Sequence, residues 1–226
     1  IKTWSAYRCL YAEVSIETEH YILRNGQWYI VDTSFVTSID KYLEGFDIYD
    51  FEFPTYSQDR EEDYNEFVRS SYSNIELMDK QFVQIGGPYD KLEFCDLIKD
   101  KSEFIHVKYY RSSATLSHLF SQGLVASEAF IGDASFRKRL NEKLPTSSRL
   151  SCTDSRPDPS SYKVVYAIAT NKSIPKELPF FSKVTLKNAL KQLKTLNFSV
   201  SLSSIKVDET LVLKKKLKPK KIRNRN

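Results

Sequence analysis

The sequence predicts an α/β protein, with a mixed sheet flanked by helices behind a small antiparallel N-terminal subdomain. Three observations carry that prediction. Asn25-Gly26 between YILR and QWYIV is a hairpin signal near the start of the chain. KVVYAIAT, residues 163–170, is a nearly continuous apolar run with the composition of a buried central strand. From Arg60 onward the periodicities read, in order, helix, three strands, two helices, strand, helix, strand.

The 226 residues suffice for one large or two small domains, and 41% hydrophobic residues, with 14 Tyr and 14 Phe, argue for a folded chain. Tyr7 to Asp32 reads as a meander of about three strands, followed by a helix capped by Thr33 or Ser34 and running to about Glu44. Asp47 to Asp59 is a loop in which Pro54 forbids a central strand. The subdomain is drawn at 1–59 and the main body at 60–210.

REEDYNEFVRSSY, from Arg60, is helical in period, with Tyr64, Phe67, Val68 and Tyr72 as its apolar stripe. Leu77 to Ile85 reads as one short strand closed by a Gly86-Gly87-Pro88 turn. Lys91 to Ile98 and Glu103 to Tyr110 read as two further strands joined by the tight KDKS turn, completing a three-stranded meander. Ser113 caps a helix from Ala114 to Phe130, on which Thr115, His118 and Gln122 share one face. A helix from Ala134 to Leu144 exposes Arg137, Lys138 and Arg139, and Thr146 to Ser161, rich in Ser, Pro and Asp, is a surface loop. A helix from about Thr185 to Leu196 and the alternating FSVSLSSIKV strand close the body.

The formal charge is +5, but residues 214–226 hold eight Lys or Arg and no acid, which leaves −3 for the rest. Residues 211–226 are expected to be a disordered basic tail. Cys9, Cys95 and Cys152 form no CxxC pair, so neither a disulfide framework nor a zinc knuckle is expected. No apolar run is long enough to span a bilayer and IKTWSAYRC is unlike a signal peptide, so a soluble, cytoplasmic setting is expected. The chain opens on Ile1, which suggests a piece of a longer one. Walker loops, GxGxxG and HExxH are absent, which disfavours nucleotide-driven, dinucleotide and zincin chemistry.

The chemistry-bearing stretch is LEFCDLIKDKSEFIHVKYYRSSATLSHLFSQ, from Leu92 to Gln122. Period two puts His106 and Lys108 on one strand face, and the KDKS turn can bring Asp96 to meet them. Phosphodiester hydrolysis with Mg²⁺ needs carboxylates at a strand end, and a nearby lysine can orient water or stabilise negative charge. A Ser nucleophile at Ser113 with His118 lacks a third member, and capping explains Ser112 and Ser113.

On these residues the region from 60 to 206 resembles the PD-(D/E)XK nuclease superfamily, with a restriction-endonuclease-like fold. The resemblance implies that Asp96 is the metal-binding aspartate and Lys108 the signature lysine. It further implies that Glu62 or Glu66 is the acid on the first helix and Gln122 the polar residue on the later one. His106 stands where the superfamily carries Glu or Asp, a replacement that favours Mn²⁺ over Mg²⁺ or weakens the site. EDYNEF, LEFCDL, FIHVKYYRSSATLSHLFSQGL and LPFFSKVTL are also similar to a sporadically distributed, uncharacterised bacterial family known from mobile and defence-associated gene neighbourhoods.

The expected function is therefore a metal-dependent nuclease acting on DNA in bacterial defence, with Asp96, His106 and Lys108 catalytic. Asp96, Glu62 and Glu66 would hold Mg²⁺ or Mn²⁺. Gln122, His118, Arg111, Lys215 and Lys216 would contact nucleic acid, the tail residues through sequence-independent phosphate charge. The alternative is a catalytically inactive module of a larger defence protein, binding nucleic acid or protein. A homodimer, or association with further regions of a longer chain, is expected beside the nucleic-acid partner.

Overall fold

The computed structural model describes residues 5–85 and 90–217. Its first elements are β1 (Ala12–Ile16), β2 (Glu19–Arg24) and β3 (Gln27–Ile30), an antiparallel sheet in that order. Asn25 and Gly26 lie at φ 53° and 75°, the two left-handed positions that a two-residue hairpin loop requires. Leu23 is the one residue of these strands that is buried. The sheet touches the rest through β1 and β2: the His20 ring stacks on Phe180 at 5.4 Å, and Glu13 accepts from the Phe181 N–H at 2.9 Å.

Helix α1 (Thr33–Glu44) is capped by Asp32, whose carboxylate accepts from the N–H groups of Ser34 and Phe35. The cap was expected one or two residues later; the aspartate, reaching both orphan donors, takes the role from the hydroxyls. Ile39 and Leu43 on its buried face join Phe46 in the main core. Residues 46–56, counted with the N-terminal subdomain in the sequence reading, run along the edge of the main sheet. Tyr49 N–H donates to Leu202 O at 2.7 Å and Tyr56 N–H to Lys206 O at 2.8 Å, which covers an otherwise open strand edge.

The main sheet contains β4 (Ile75–Leu77), β7 (Leu97–Lys99), β8 (Glu103–Tyr109), β9 (Lys163–Ala169) and β10 (Ser199–Ile205), in the order β10-β9-β8-β7-β4 once β5 (Phe82–Gln84) and β6 (Lys91–Glu93) are set aside as a separate hairpin. β8, β9 and β10 are parallel; β7 runs antiparallel to β8 and to β4. β9 is central and buried from Val164 to Ala169, as its unbroken apolar run predicts. One sheet face carries Ile105, Val107, Val165 and Ala167 and packs on Tyr64 and Val68 of α2 (Glu61–Ser71) with Tyr49, Phe53 and Tyr56. The other carries Phe104, Val164, Tyr166 and Ile168 and packs under α3 (Ser113–Gly132), α4 (Ala134–Lys143) and α5 (Phe180–Thr195). The fold is thus α/β, a mixed sheet flanked by helices with an antiparallel sheet at its N-terminal end.

Several local expectations change. The strand expected over Leu77 to Ile85 is two, β4 and β5, parted by a turn with Lys80 at φ 61°. The strand expected over Lys91 to Ile98 is also two, β6 and β7. Phe94, Cys95 and Asp96 between them are all buried, which an alternating strand with one exposed face does not permit. The meander is therefore β4-β7-β8, with the β5-β6 hairpin inserted; Gly86-Gly87-Pro88 lies outside the described residues. The cap of α3 is Ser112 rather than Ser113, in a capping box with Thr115. Arg137, expected on an exposed face, is buried and donates to four backbone carbonyls, of Phe130, Ile131, Thr153 and Asp154.

The tail expected to be disordered from 211 begins as helix α6 (Glu209–Leu217). Asp208 accepts from the N–H groups of Thr210 and Leu211, and Leu211 is buried in the core facing α2. An aspartate cap and one apolar anchor order a segment whose composition alone reads as solvated. No helix among the described residues is long and apolar enough to cross a membrane.

Gly123 on α3 sits in close contact with the sheet. A Cβ there would stand 2.7 Å from Cε1 of Tyr166, a buried ring fixed by its hydroxyl bond to Phe120 O. Gly123→Ala should therefore destabilise the protein by about 1–3 kcal/mol, although alanine is the better helix former. Urea denaturation checks this; a more stable variant would show that α3 shifts freely over Tyr166.

Candidate metal centre

The site begins where β8 outruns its antiparallel neighbour. β7 starts at Leu97, opposite Ile105, so the N–H groups of Val107 and Tyr109 have no strand on that side. Carboxylates take both places: Asp96 Oδ2 accepts from Val107 N–H at 2.7 Å and Glu61 Oε1 from Tyr109 N–H at 3.4 Å. Asp96 is held by its own backbone, with N–H to Ile105 O at 3.0 Å and its carbonyl accepting from Met78 N–H at 2.8 Å. The kink that breaks the expected strand at Phe94-Cys95-Asp96 thus aims a carboxylate along the free edge of β8.

That arrangement places Asp79, in the turn after β4, and Glu93, at the end of β6, beside Asp96. One carboxylate oxygen from each of the three lies within 4.8 Å of the others. Glu93 is fixed from two sides, accepting from Lys80 N–H at 2.6 Å and from the Gln122 side-chain amide at 3.0 Å. Burial, then the charge of Glu93, drives the Asp96 carboxyl well above its ordinary value, against the opposing Val107 N–H. Asp79 is raised for the same two reasons, and its hydrogen bond with Asp96 opposes the rise. Three acids crowded in a half-buried corner repel one another, and a proton or a cation relieves that repulsion.

In front of them opens a cleft of about 390 Å³ lined by Asp59, Arg60, Glu61, Glu62, Asp79, Lys80, Lys108, Arg111 and Thr115. Lys108 donates to Glu61 Oε2 at 2.5 Å, an ion pair in which both side chains are about a quarter exposed. Glu62 pairs with Arg60 and Lys80 at the rim. An all-carboxylate donor set of this size suits a hard divalent cation such as Mg²⁺ or Mn²⁺. The crowding of Asp79, Glu93 and Asp96 is the observation on which that fit rests.

Of the residues singled out in the sequence, Asp96 and Lys108 come together here, and Gln122 reaches the same site through Glu93. Glu62 is beside the cleft, but its partners are the two cations, and the helix acid that reaches Lys108 is Glu61. Glu66 is exposed, five residues and so about 140° round α2 from Glu61. His106 does not join the carboxylates. It faces the α3 side, 1% exposed, with its ring 5.9 Å from Tyr166, and burial alone lowers it to about 4.

Arg111 lines the cleft and lies over the Tyr109 ring, 5.9 Å from its centroid. His118 is exposed on α3. The Lys215 ammonium sits over the Tyr109 ring at 3.6 Å, a cation–π contact that packs it onto the protein. The Lys216 side chain lies outside the described part of the structure. Glu61, Asp79 and Glu93 were missed. Asp79-Lys80 in a supposed strand interior was a legible turn signal, since aspartate is depleted in strands; Glu93, three residues before Asp96, looked like an ordinary strand acid.

No curated protein and no solved structure matches the chain. Residues 1–206 match DUF6119, a family of unknown function, and the chain belongs to that family.

Proposed function

We propose that this protein is a divalent-metal-dependent phosphodiesterase, a nuclease in the manner of the PD-(D/E)XK enzymes, acting on DNA in the cytoplasm as part of bacterial defence. The observation that carries the reading is the convergence of Asp79, Glu93 and Asp96 beside a cleft that also holds Lys108. The order from α2 to β9, one helix, the β4-β7-β8 meander with the β5-β6 hairpin inserted, the helices α3 and α4 and a parallel strand, supports the reading. The defence setting and the choice of DNA rest on the sequence resemblances alone.

Asp79, Glu93 and Asp96 would hold the ion, which when bound supplies charge neutralisation for the scissile phosphate and a lowered pKa for water. Gln122 and the Lys80 N–H keep the Glu93 carboxylate turned toward its partners. Lys108, steadied by Glu61, presents an ammonium to the cleft, where it orients water or stabilises charge developing on phosphate. Arg60, Lys80 and Arg111 on the cleft wall attract the polyanion.

The second reading is a non-catalytic module that binds nucleic acid or protein. It is favoured by the fact that Asp96 and Glu61 already do structural work, sealing the free edge of β8, while Glu61 neutralises Lys108. Plasmid incubated with the protein and Mn²⁺ or Mg²⁺ separates the two. Cleavage that needs the metal and is lost in both Asp96→Asn and Lys108→Ala supports the nuclease. Cleavage that survives in these variants rejects the site, and salt-sensitive binding without cleavage favours the second reading.

A further inference from the structure

The loop from 146 to 161 is composed like a mobile connector, yet it is pinned at three points. The Asn141 side chain exchanges two hydrogen bonds with the backbone of Leu150, at 2.7 and 3.3 Å. Buried Arg137 donates to the carbonyls of Thr153 and Asp154 at 2.8 and 3.2 Å. The Ser148 hydroxyl donates to Glu76 at 2.5 Å. With the β7–β8 turn and Tyr162 this fixed loop walls a pocket of about 490 Å³, within the size range of small-molecule sites.

The pocket is basic. Lys101, Arg149 and Arg156 line it together with serine hydroxyls that include Ser151 and Ser155. Among the described residues none of these three cations forms an ion pair, and the acids nearby are engaged elsewhere. Asp154 pairs with Lys138 at 2.8 Å, Glu76 takes the hydroxyls of Ser147 and Ser148, and Asp158, itself in the pocket wall, accepts from the N–H and hydroxyl of Ser160. The Arg156 guanidinium, the two terminal nitrogens of Arg149, whose Nε donates to Leu144 O at 3.3 Å, the Lys101 ammonium and hydroxyls such as that of Ser151 around a concave space match the oxygens of a phosphate group. The pocket lies at the start of β8, while the carboxylates meet its far end, roughly 15–20 Å along the strand.

We propose that this pocket is a second site, binding a small phosphomonoester of nucleotide size through Arg149, Arg156 and Lys101. The inference does not depend on the nuclease reading. Cys152 supplies an internal reporter: it lines the pocket, is exposed, and its thiol is pulled below the ordinary value by the Ser155 hydroxyl and then by the N–H groups of Ser155 and Asp154.

The test is the rate of iodoacetamide alkylation at Cys152, read by peptide mass spectrometry on the full chain, with exposed Cys9 as internal control. Adenosine 5′-monophosphate and inorganic phosphate should slow the reaction at Cys152 and not at Cys9, whereas adenosine should do nothing. The double variant Arg149→Gln, Arg156→Gln should weaken the protection by at least about tenfold; Lys101→Gln, at a surface turn, serves if the double variant loses its near-ultraviolet dichroism. Protection by adenosine equal to that by the monophosphate, protection unchanged in the variants, or no protection by either phosphate at millimolar concentration overturns the proposal. Protection by a single-stranded oligonucleotide alone also overturns it, and makes the pocket part of a nucleic-acid track.

Discussion

Asp96→Asn is expected to leave the fold intact and to remove the stabilisation that Mn²⁺ or Mg²⁺ confers on the wild-type protein. Asparagine keeps the size of the side chain, and its amide oxygen can still accept from Val107 N–H, so the edge of β8 stays sealed. What it deletes is one of three carboxylates crowded within 4.8 Å. In the metal-free state that loss relieves repulsion and should hold or raise the melting temperature. A cation at about a hundredfold excess over its dissociation constant adds roughly 2.7 kcal/mol to the wild type, or about 5–10 °C for a chain of this size. Thermal melts with each ion, reversed by a chelator, check it. A wild type that ignores both ions, or a variant that responds as strongly, would sink the metal assignment, and with it a loss of cleavage of at least about a hundredfold.

His106→Leu is expected to make the protein less sensitive to acid. Burial lowers the imidazole from 6.5 to about 4, so between those values the unfolded chain binds a proton that the folded chain refuses. Stability contributed by the neutral histidine is present above the unfolded value and is lost as pH falls toward the folded one. The full difference is about 3 kcal/mol, of which about 2 kcal/mol is lost between about pH 7 and pH 5. Leucine carries no such proton. Because Nδ1 of His106 has no hydrogen-bond partner among the described residues, leucine removes a buried unsatisfied polar atom and the variant should match or exceed wild-type stability at neutral pH. Urea titrations at the two pH values measure the gap. Equal acid losses in both proteins would falsify the structural role given to His106 and reopen a functional one.

Periodicity and turn chemistry were enough to read the Asn25-Gly26 hairpin, α2, β8, the buried run of β9 and the order of the helices and main-sheet strands from α2 to β10, because each depends on neighbours within a few positions. The same local logic found Asp96 and Lys108. It failed at the inserted β5-β6 hairpin, where two broken strands looked like two whole ones, and it therefore missed Asp79 and Glu93. It read Arg137 as solvent-facing, although the carbonyls that satisfy it come from α3 and from a loop about fifteen residues away.

The sequence by itself determined the class of fold, the central strand and one aspartate–lysine pair, all consequences of short-range pattern. Only the tertiary structure decided which acids that pair belongs with. Asp79, Glu93 and Asp96 come from a turn, a hairpin and a strand break, and Glu61 from the start of a helix. His106, two residues from Lys108 on the same strand face, is left out because it is buried beside Tyr166, whereas Lys108 stays about a quarter exposed and reaches Glu61. Burial along a single strand changes with what packs above it, and spacing in sequence carries no record of that.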